Sequence, residues 1–203
     1  MTPYNREQKE TFEKSLHGLS MMGDDEKNHL KETVKPYLQF RKELQHFSMV
    51  HLFRLCKTKC YDTGLSACCT KEGVITYFAD MVVNLLHSDP AQISRFKEHL
   101  DRPRNDTLCV YMGESGCVWK IKPIVCEMFF CDWLLEETAN RNPATAVEIE
   151  KFNTLKKQFL WPDKPVLFDA IETIFLEKKL EATTMYYHLS PGLKAIKKKA
   201  GLI

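Results

Sequence analysis

Apolar positions recur at helical spacing over most of the chain and lose that rhythm in the middle. Leu30, Val34, Tyr37 and Leu38 share one stripe behind Asp24 and Asp25, which are suited to cap a helix. Pro36 inside that stripe predicts a break or kink before a second run leads toward Cys56. Ile75, Phe78, Ala79, Val82, Leu85 and Leu86 again keep the helical period. Ser88-Asp89-Pro90 then reads as an N-cap with proline near the first helical position, ahead of a short helix carrying Ile93, Phe96 and Leu100. Leu167, Ala170, Ile171, Ile174 and Phe175 form the cleanest amphipathic stripe, with Pro165 near its start.

Between Asp101 and Lys122 the pattern changes. Cys109-Val110-Tyr111-Met112 and Cys117-Val118-Trp119-Lys120-Ile121 are short β-prone runs flanking Gly113-Glu114-Ser115-Gly116, which predicts a small hairpin. The expected fold class is mainly α: packed helices around a central irregular cysteine-rich segment with a small β-hairpin. At 203 residues and 44% apolar, the chain suits one domain, 1–203, with a cysteine core at about 50–133 flanked by helices.

Charge narrows the function classes. Lys and Arg total 29 against 27 Asp and Glu, so no general electrostatic drive toward nucleic acid or an anionic membrane exists, and neither partner is expected. The opening residues Met1 to Glu10 are polar and lack the apolar core and cleavage site of an export signal. No apolar run approaches the ~20 residues a bilayer span requires. A cytoplasmic location is therefore expected, with a protein or small-molecule partner unspecified and the oligomeric state open.

That location changes the meaning of the eight cysteines: Cys56, Cys60, Cys68, Cys69, Cys109, Cys117, Cys126 and Cys131. In a reducing compartment thiols rarely persist as structural disulfides, so metal ligation becomes the favoured use. Thiolates are the soft ligands that zinc and iron–sulfur clusters select, and an iron–sulfur cluster is favoured slightly over zinc. If the preceding helix continues one turn, Cys56 and Cys60 lie at i and i+4 on one face. Cys68 and Cys69 are adjacent and serve one centre only if the backbone turns sharply. Cys109 and Cys117 flank the hairpin turn, as zinc-ribbon ligands do. Cys126 and Cys131 are about 140° apart on a regular helix, so they bracket a helix break or serve different centres.

The ordered set Cys56-x3-Cys60-x7-Cys68-Cys69, followed by Cys109-x7-Cys117-x8-Cys126 with Lys122-Pro123 before Cys126 and Phe130-Cys131 after it, resembles the YkgJ-type cysteine-cluster family. That resemblance, over roughly Cys56 to Cys131, implies zinc or iron chelation. The chain departs from the family pattern in carrying Lys122-Pro123 where Arg-Pro is common, and Glu127 where Arg is common. The cysteine set is also similar to that of flagellin lysine methylases, which implies a methyl-transfer relative without establishing the reaction.

Two other cysteine motifs fail on spacing. Thr63 stands where a radical-SAM motif needs its third cysteine, and no Cys-x2-Cys of a zinc finger occurs. Lys57, Lys59, Lys71, Lys120 and Lys122 lie near candidate ligands, though solvated lysines are the simpler reading for each. His51 is a possible ligand or relay, but a packed histidine is commoner. Trp119, Phe129, Phe130 and Trp133 shield a cluster or pack the core. Glu127 and Asp132 belong to no carboxylate pair, and solvation is expected for both. Lys197-Lys198-Lys199 fits a helix C-terminus better than a phosphate site.

Three function classes follow. The favoured one is a metal-cluster-binding protein, with redox or methyl-transfer chemistry open. The alternatives are a non-catalytic zinc-stapled interaction domain and a thiol/disulfide redox sensor. No catalytic residue is assigned, and whether the protein is an enzyme stays open.

Overall fold

The structure is a computed structural model. It describes the whole chain except residues 66–67, 71–75, 105, 115, 160–165, 188–193, 196–197, 200 and 202–203, and only the backbone of 166–169. The fold is mainly α with a small hairpin. The helices are α1 (Pro3–Met21), α2 (Asp24–His51), α3 (Phe53–Cys56), α4 (Phe78–Leu86), α5 (Pro90–Asp101), α6 (Ile124–Glu127), α7 (Asp132–Arg141), α8 (Pro143–Lys156) and α9 (Val166–Glu177). A π-helical turn (Lys57–Tyr61) follows α3, and strands β1 (Met112–Gly113) and β2 (Gly116–Cys117) form the hairpin.

The central element is α4, in which every residue from Phe78 to Leu85 is buried. It packs against α1 and α9 and touches α2. An apolar helix buried all round cannot be stable on its own in water, and here its neighbours supply the cover. Phe78 meets Phe175 of α9 edge-on at 4.9 Å, and Phe12 of α1 stacks on Phe96 of α5 at 5.8 Å. On the outer side, Phe152 of α8 contacts Phe40 and Phe47 of α2. Tyr111 and Trp119 both pack on Phe96, so the hairpin is pinned to α5 by three rings that meet at 4.8 to 5.0 Å. Each such pair contributes about 1 kcal/mol beyond its buried area.

The first helix carries no apolar stripe in the sequence, and the structure shows why. Its buried face consists of Asn5, Gln8, Thr11, Phe12, Ser15, Gly18 and Leu19, mostly polar or small residues. Side-chain hydrogen bonds replace apolar contact there: Gln8 Oε1 accepts from Thr76 Oγ1 at 2.7 Å and from Tyr111 Oη at 2.9 Å, and Thr11 pairs with Thr184 at 2.7 Å. Gly18 lets α9 approach, since a Cβ there would stand 2.2 Å from Phe175 Cε1.

Pro36 does not break its helix. It is exposed within a continuous α2, where buried Val34, Tyr37, Phe40 and Leu44 hold both halves to the core. The cap of α2 is Gly23, whose N–H is accepted by Glu26 at 3.1 Å, while Asp24 and Asp25 sit in the first turn and complement the helix dipole. Asp89 caps α5 as the sequence predicts, accepting from Gln92 N at 2.8 Å ahead of Pro90. The hairpin forms with shorter strands than its β-prone runs, pairing Met112 with Cys117 and Gly113 with Gly116. Gly116 has φ +110°, open to glycine and strained for other residues. In α9, Ile171 and Phe175 are buried and Ile174 packs against the core. The expectations for Ile75, Pro165, Lys71, Ser115, Lys197 and the Leu167 side chain lie outside the described residues.

Candidate metal centre

The cysteines reach one region by four separate routes. Cys56 ends α3, and the chain continues as a π turn in place of an α turn, with Asp62 N bonded to Lys57 O at 2.9 Å and Leu65 N to Cys60 O at 3.0 Å. The expected continuation past Cys56 is thus present in widened form, a geometry that often marks functional positions. Tyr61 Oη donates to Glu114 O at 2.9 Å, tying this turn to the hairpin tip. Cys69 O accepts from Cys109 N at 2.7 Å, and Thr70 bridges Leu108, so the vicinal pair lies alongside the strand that enters the hairpin.

The other two routes are set by α4. Asn84 Oδ1 accepts from both Lys120 N at 3.1 Å and Ile121 N at 2.9 Å, fixing the segment that leaves Cys117. The buried Asp80 carboxylate accepts from Tyr77 N at 3.0 Å and from Ile124 N, which anchors the start of α6 and hence Cys126. Cys131 is the residue before α7, so Cys126 and Cys131 do bracket a helix break.

Mutual influence links the thiols in two overlapping groups. Burial pushes the Cys56 thiol up to about 11, and Cys68, Cys131 and Cys60 push it further in the same direction. Local desolvation raises Cys117 to about 11, with Cys109 and Glu127 adding to it, while the Trp119 N–H and Lys122 oppose the shift. Cys126 is raised by burial and then by Asp80, Cys109, Cys117 and Cys68. Cys69 is raised by its hydrogen bond to Cys68, by burial and by the charges of Cys68, Cys117 and Cys109. Electrostatically, Cys56 is linked to Cys60, Cys68 and Cys131 (an outer set), and Cys69, Cys109, Cys117 and Cys126 are linked with one another (an inner set), with Cys68 acting on members of both, Cys56 and Cys126. The vicinal pair lies where they overlap.

Within that pair the hydrogen bond favours the proton on Cys69. The Cys69 thiol bonds to Cys68 Sγ, and that bond, a backbone N–H and Lys122 together lower the Cys68 thiol below its usual range. Above the inner set, Tyr4 Oη lies 3.4 Å from Cys109 Sγ, and burial beside Cys109 and Cys126 raises the phenol strongly. Tyr111 is raised well above the usual range by burial and by Tyr4, Cys109, Cys117 and Cys126.

Basic groups rim the cluster. Lys122 acts favourably on Cys56, Cys68 and Cys117. Glu127 is not solvated: its side chain is 12% exposed, with Oε2 3.8 Å from Arg41 Nη2 and 3.7 Å from Lys122 Nζ. Lys59 lies over the Trp133 ring at 5.3 Å, Lys57 pairs with Asp62 at 2.6 Å, and Lys120 donates to His87 O at 2.5 Å. His51 packs on Phe47, and Asp132 is exposed. Trp119 is core, Phe130 and Trp133 are partly buried against it, and Phe129 is exposed.

The donor set fits a soft metal chemically. Cys56, Cys69, Cys117 and Cys126 are pushed toward the neutral form by burial and by one another, and a bound cation would reverse both effects. Among the described residues, however, no three His, Cys, Asp or Glu side chains stand in an arrangement that would hold a metal ion. No protein-family model, curated protein or solved structure matches this chain. No described helix is long and apolar enough to cross a membrane.

Tyr4, Arg41, Asp80 and Asn84 were not singled out in the sequence. Asp80 and Asn84 were visible only as two polar residues inside an apolar helical run, and nothing local marks Tyr4 or Arg41.

Proposed function

We propose that the protein binds metal through its cysteines, the outer set holding one centre and the inner set a second. The observation that carries this reading is the convergence of eight thiols from four chain segments, with no disulfide formed and the vicinal pair shared between the groups. An iron–sulfur cluster is the favoured occupant of at least one centre, because four thiolates per set match its usual ligation. Tyr4 would donate to the Cys109 thiolate, and the aromatic residues around the hairpin would keep water from buried Cys109, while Cys117 stays exposed. Redox or methyl-transfer chemistry rests on the family resemblance alone. A cytoplasmic location belongs to the same reading, since free thiols and exported proteins rarely go together.

Anaerobic purification, an absorption spectrum and elemental analysis for iron, acid-labile sulfide and zinc test the proposal. Brown protein containing iron and sulfide supports the cluster. Colourless protein with stoichiometric zinc replaces it with a zinc-stapled domain. Metal-free protein whose folding is indifferent to Cys109→Ser and Cys117→Ser overturns metal binding altogether.

A further inference from the structure

A pocket of about 150 Å³ opens between α2 and the segment that links the hairpin to α6. Its walls carry Arg41, Lys42, Lys120 and Lys122 against a single carboxylate, Glu127, a surplus of three positive charges. We propose that this pocket is a binding site for a phosphate-type oxyanion, carried either by the free ion or by the end of a small phosphomonoester. The proposal requires no metal in the cysteine cluster.

Arg41 distinguishes the pocket from an ordinary basic surface. Its side chain is only 8% exposed and comes from α2, outside the cysteine segment. Nη1 donates to Tyr37 Oη at 2.7 Å, which fixes the plane of the guanidinium. Nη2 meets Glu127 only at 3.8 Å, beyond hydrogen-bond range, and Nε has no hydrogen-bond partner. The Nε–Nη2 edge, the fork that matches two oxygens of an oxyanion, thus carries only the loose ion pair to Glu127 and a buried Nε donor without a hydrogen bond. A buried arginine left this way is costly, which points to a missing acceptor.

Glu127 marks the place an anion would take. Its Oε2 hangs between Arg41 Nη2 and Lys122 Nζ at 3.8 and 3.7 Å, attracted by both and hydrogen-bonded to neither. An incoming oxyanion would make the contacts that Glu127 only approaches, with Lys42 and Lys122 supplying ammonium donors at the mouth. Lys120 is held by His87 O and contributes charge alone. The volume equals about five waters of liquid, enough for one phosphate and part of its hydration and too small for a nucleotide.

The test is an amide NMR titration of the full chain, reduced and with metals chelated, at low ionic strength. Inorganic phosphate and glycerol phosphate serve as separate probes, with chloride at matched ionic strength as the control. Saturable one-to-one shifts at residues 41–45 and 120–122 are expected, with chloride inert. The tighter of the two probes distinguishes a free ion from a monoester. Lys122→Gln should weaken binding about tenfold, Glu127→Gln should tighten it, and Arg41→Lys should weaken it about tenfold while keeping the charge. If Arg41→Lys fails to fold, the opposite responses of the other two variants still decide. Shifts that never saturate, that chloride reproduces, or that Lys122→Gln and Glu127→Gln leave alike overturn the site, whatever the metal content proves to be.

Discussion

The Tyr4 hydroxyl stands 3.4 Å from Cys109 Sγ, joining the first turn of the chain to a buried thiol 105 residues later. The contact makes α1 part of the cysteine region. Tyr4→Phe keeps the ring and deletes the bond, so it should cost about 1 kcal/mol of stability, read from urea unfolding of the reduced, chelated protein. An unchanged midpoint would show the contact to be energetically idle.

Asp80 should make stability fall as pH rises. Burial lifts its carboxyl from 3.8 to about 6, against hydrogen bonds and the Arg41 charge that lower it. Between those values the folded state binds more protons than the unfolded one, so this contribution is complete below about pH 4 and is lost as pH passes about 6. The loss should be about 3 kcal/mol. Unfolding free energies of the chelated protein, compared with Asp80→Asn from pH 4 to pH 7, should converge on or cross those of the variant as pH rises. A constant difference would contradict the assignment.

Cys68 should be the first thiol to react. The Cys69 hydrogen bond is the first cause that holds its thiol below the usual range, whereas burial raises Cys56 and Cys117 to about 11, so the exposed Cys68 should ionise ahead of both in the metal-free protein. Brief iodoacetamide treatment followed by peptide mapping should find label at Cys68, with little below pH 5. Cys69→Ala should slow that labelling at pH 7, and the smaller contribution of Lys122 predicts a smaller effect for Lys122→Gln.

Gly18→Ala tests how α1 meets α9. The added Cβ would lie 2.2 Å from Phe175 Cε1 and 3.0 Å from Leu180 Cδ1, and Phe175 is itself fully buried against Phe78. Neither ring nor helix can yield freely, so a loss of about 1–3 kcal/mol is expected by thermal or urea unfolding. A silent substitution would mean that Phe175 has room to turn.

What the sequence made legible were features fixed by neighbours in the chain. The Asp89-Pro90 cap, the glycine-flanked hairpin and the break between Cys126 and Cys131 are local geometry, and each appears as expected. Helix α1 was hidden because its buried face is polar, and Pro36 misled because long-range contacts of Tyr37, Phe40 and Leu44 outweigh one lost backbone bond. The division of the cysteines was equally out of reach. Pairing by sequence proximity joins Cys68 with Cys69, whereas the antiparallel bridge of Thr70 to Leu108 carries Cys69 toward Cys109, and Cys68 acts on both Cys56 and Cys126.

That division makes a stoichiometric prediction for the proposed metal centres. If Cys68 serves the outer set and Cys69 the inner one, Cys68→Ser and Cys69→Ser should each remove one centre and spare the other, because each leaves one four-thiolate set complete. Metal per chain should fall by about half in either variant and to near zero in the double variant, and the two halves should add. A single centre shared by the vicinal pair gives a different pattern, in which either substitution alone costs most of the metal. Elemental analysis of the three variants, normalised to protein and with near-native circular dichroism as the check on folding, separates these outcomes. Serine is the suitable replacement: it keeps the size of the side chain and removes the soft donor, so a loss of metal follows from ligand chemistry and not from a cavity.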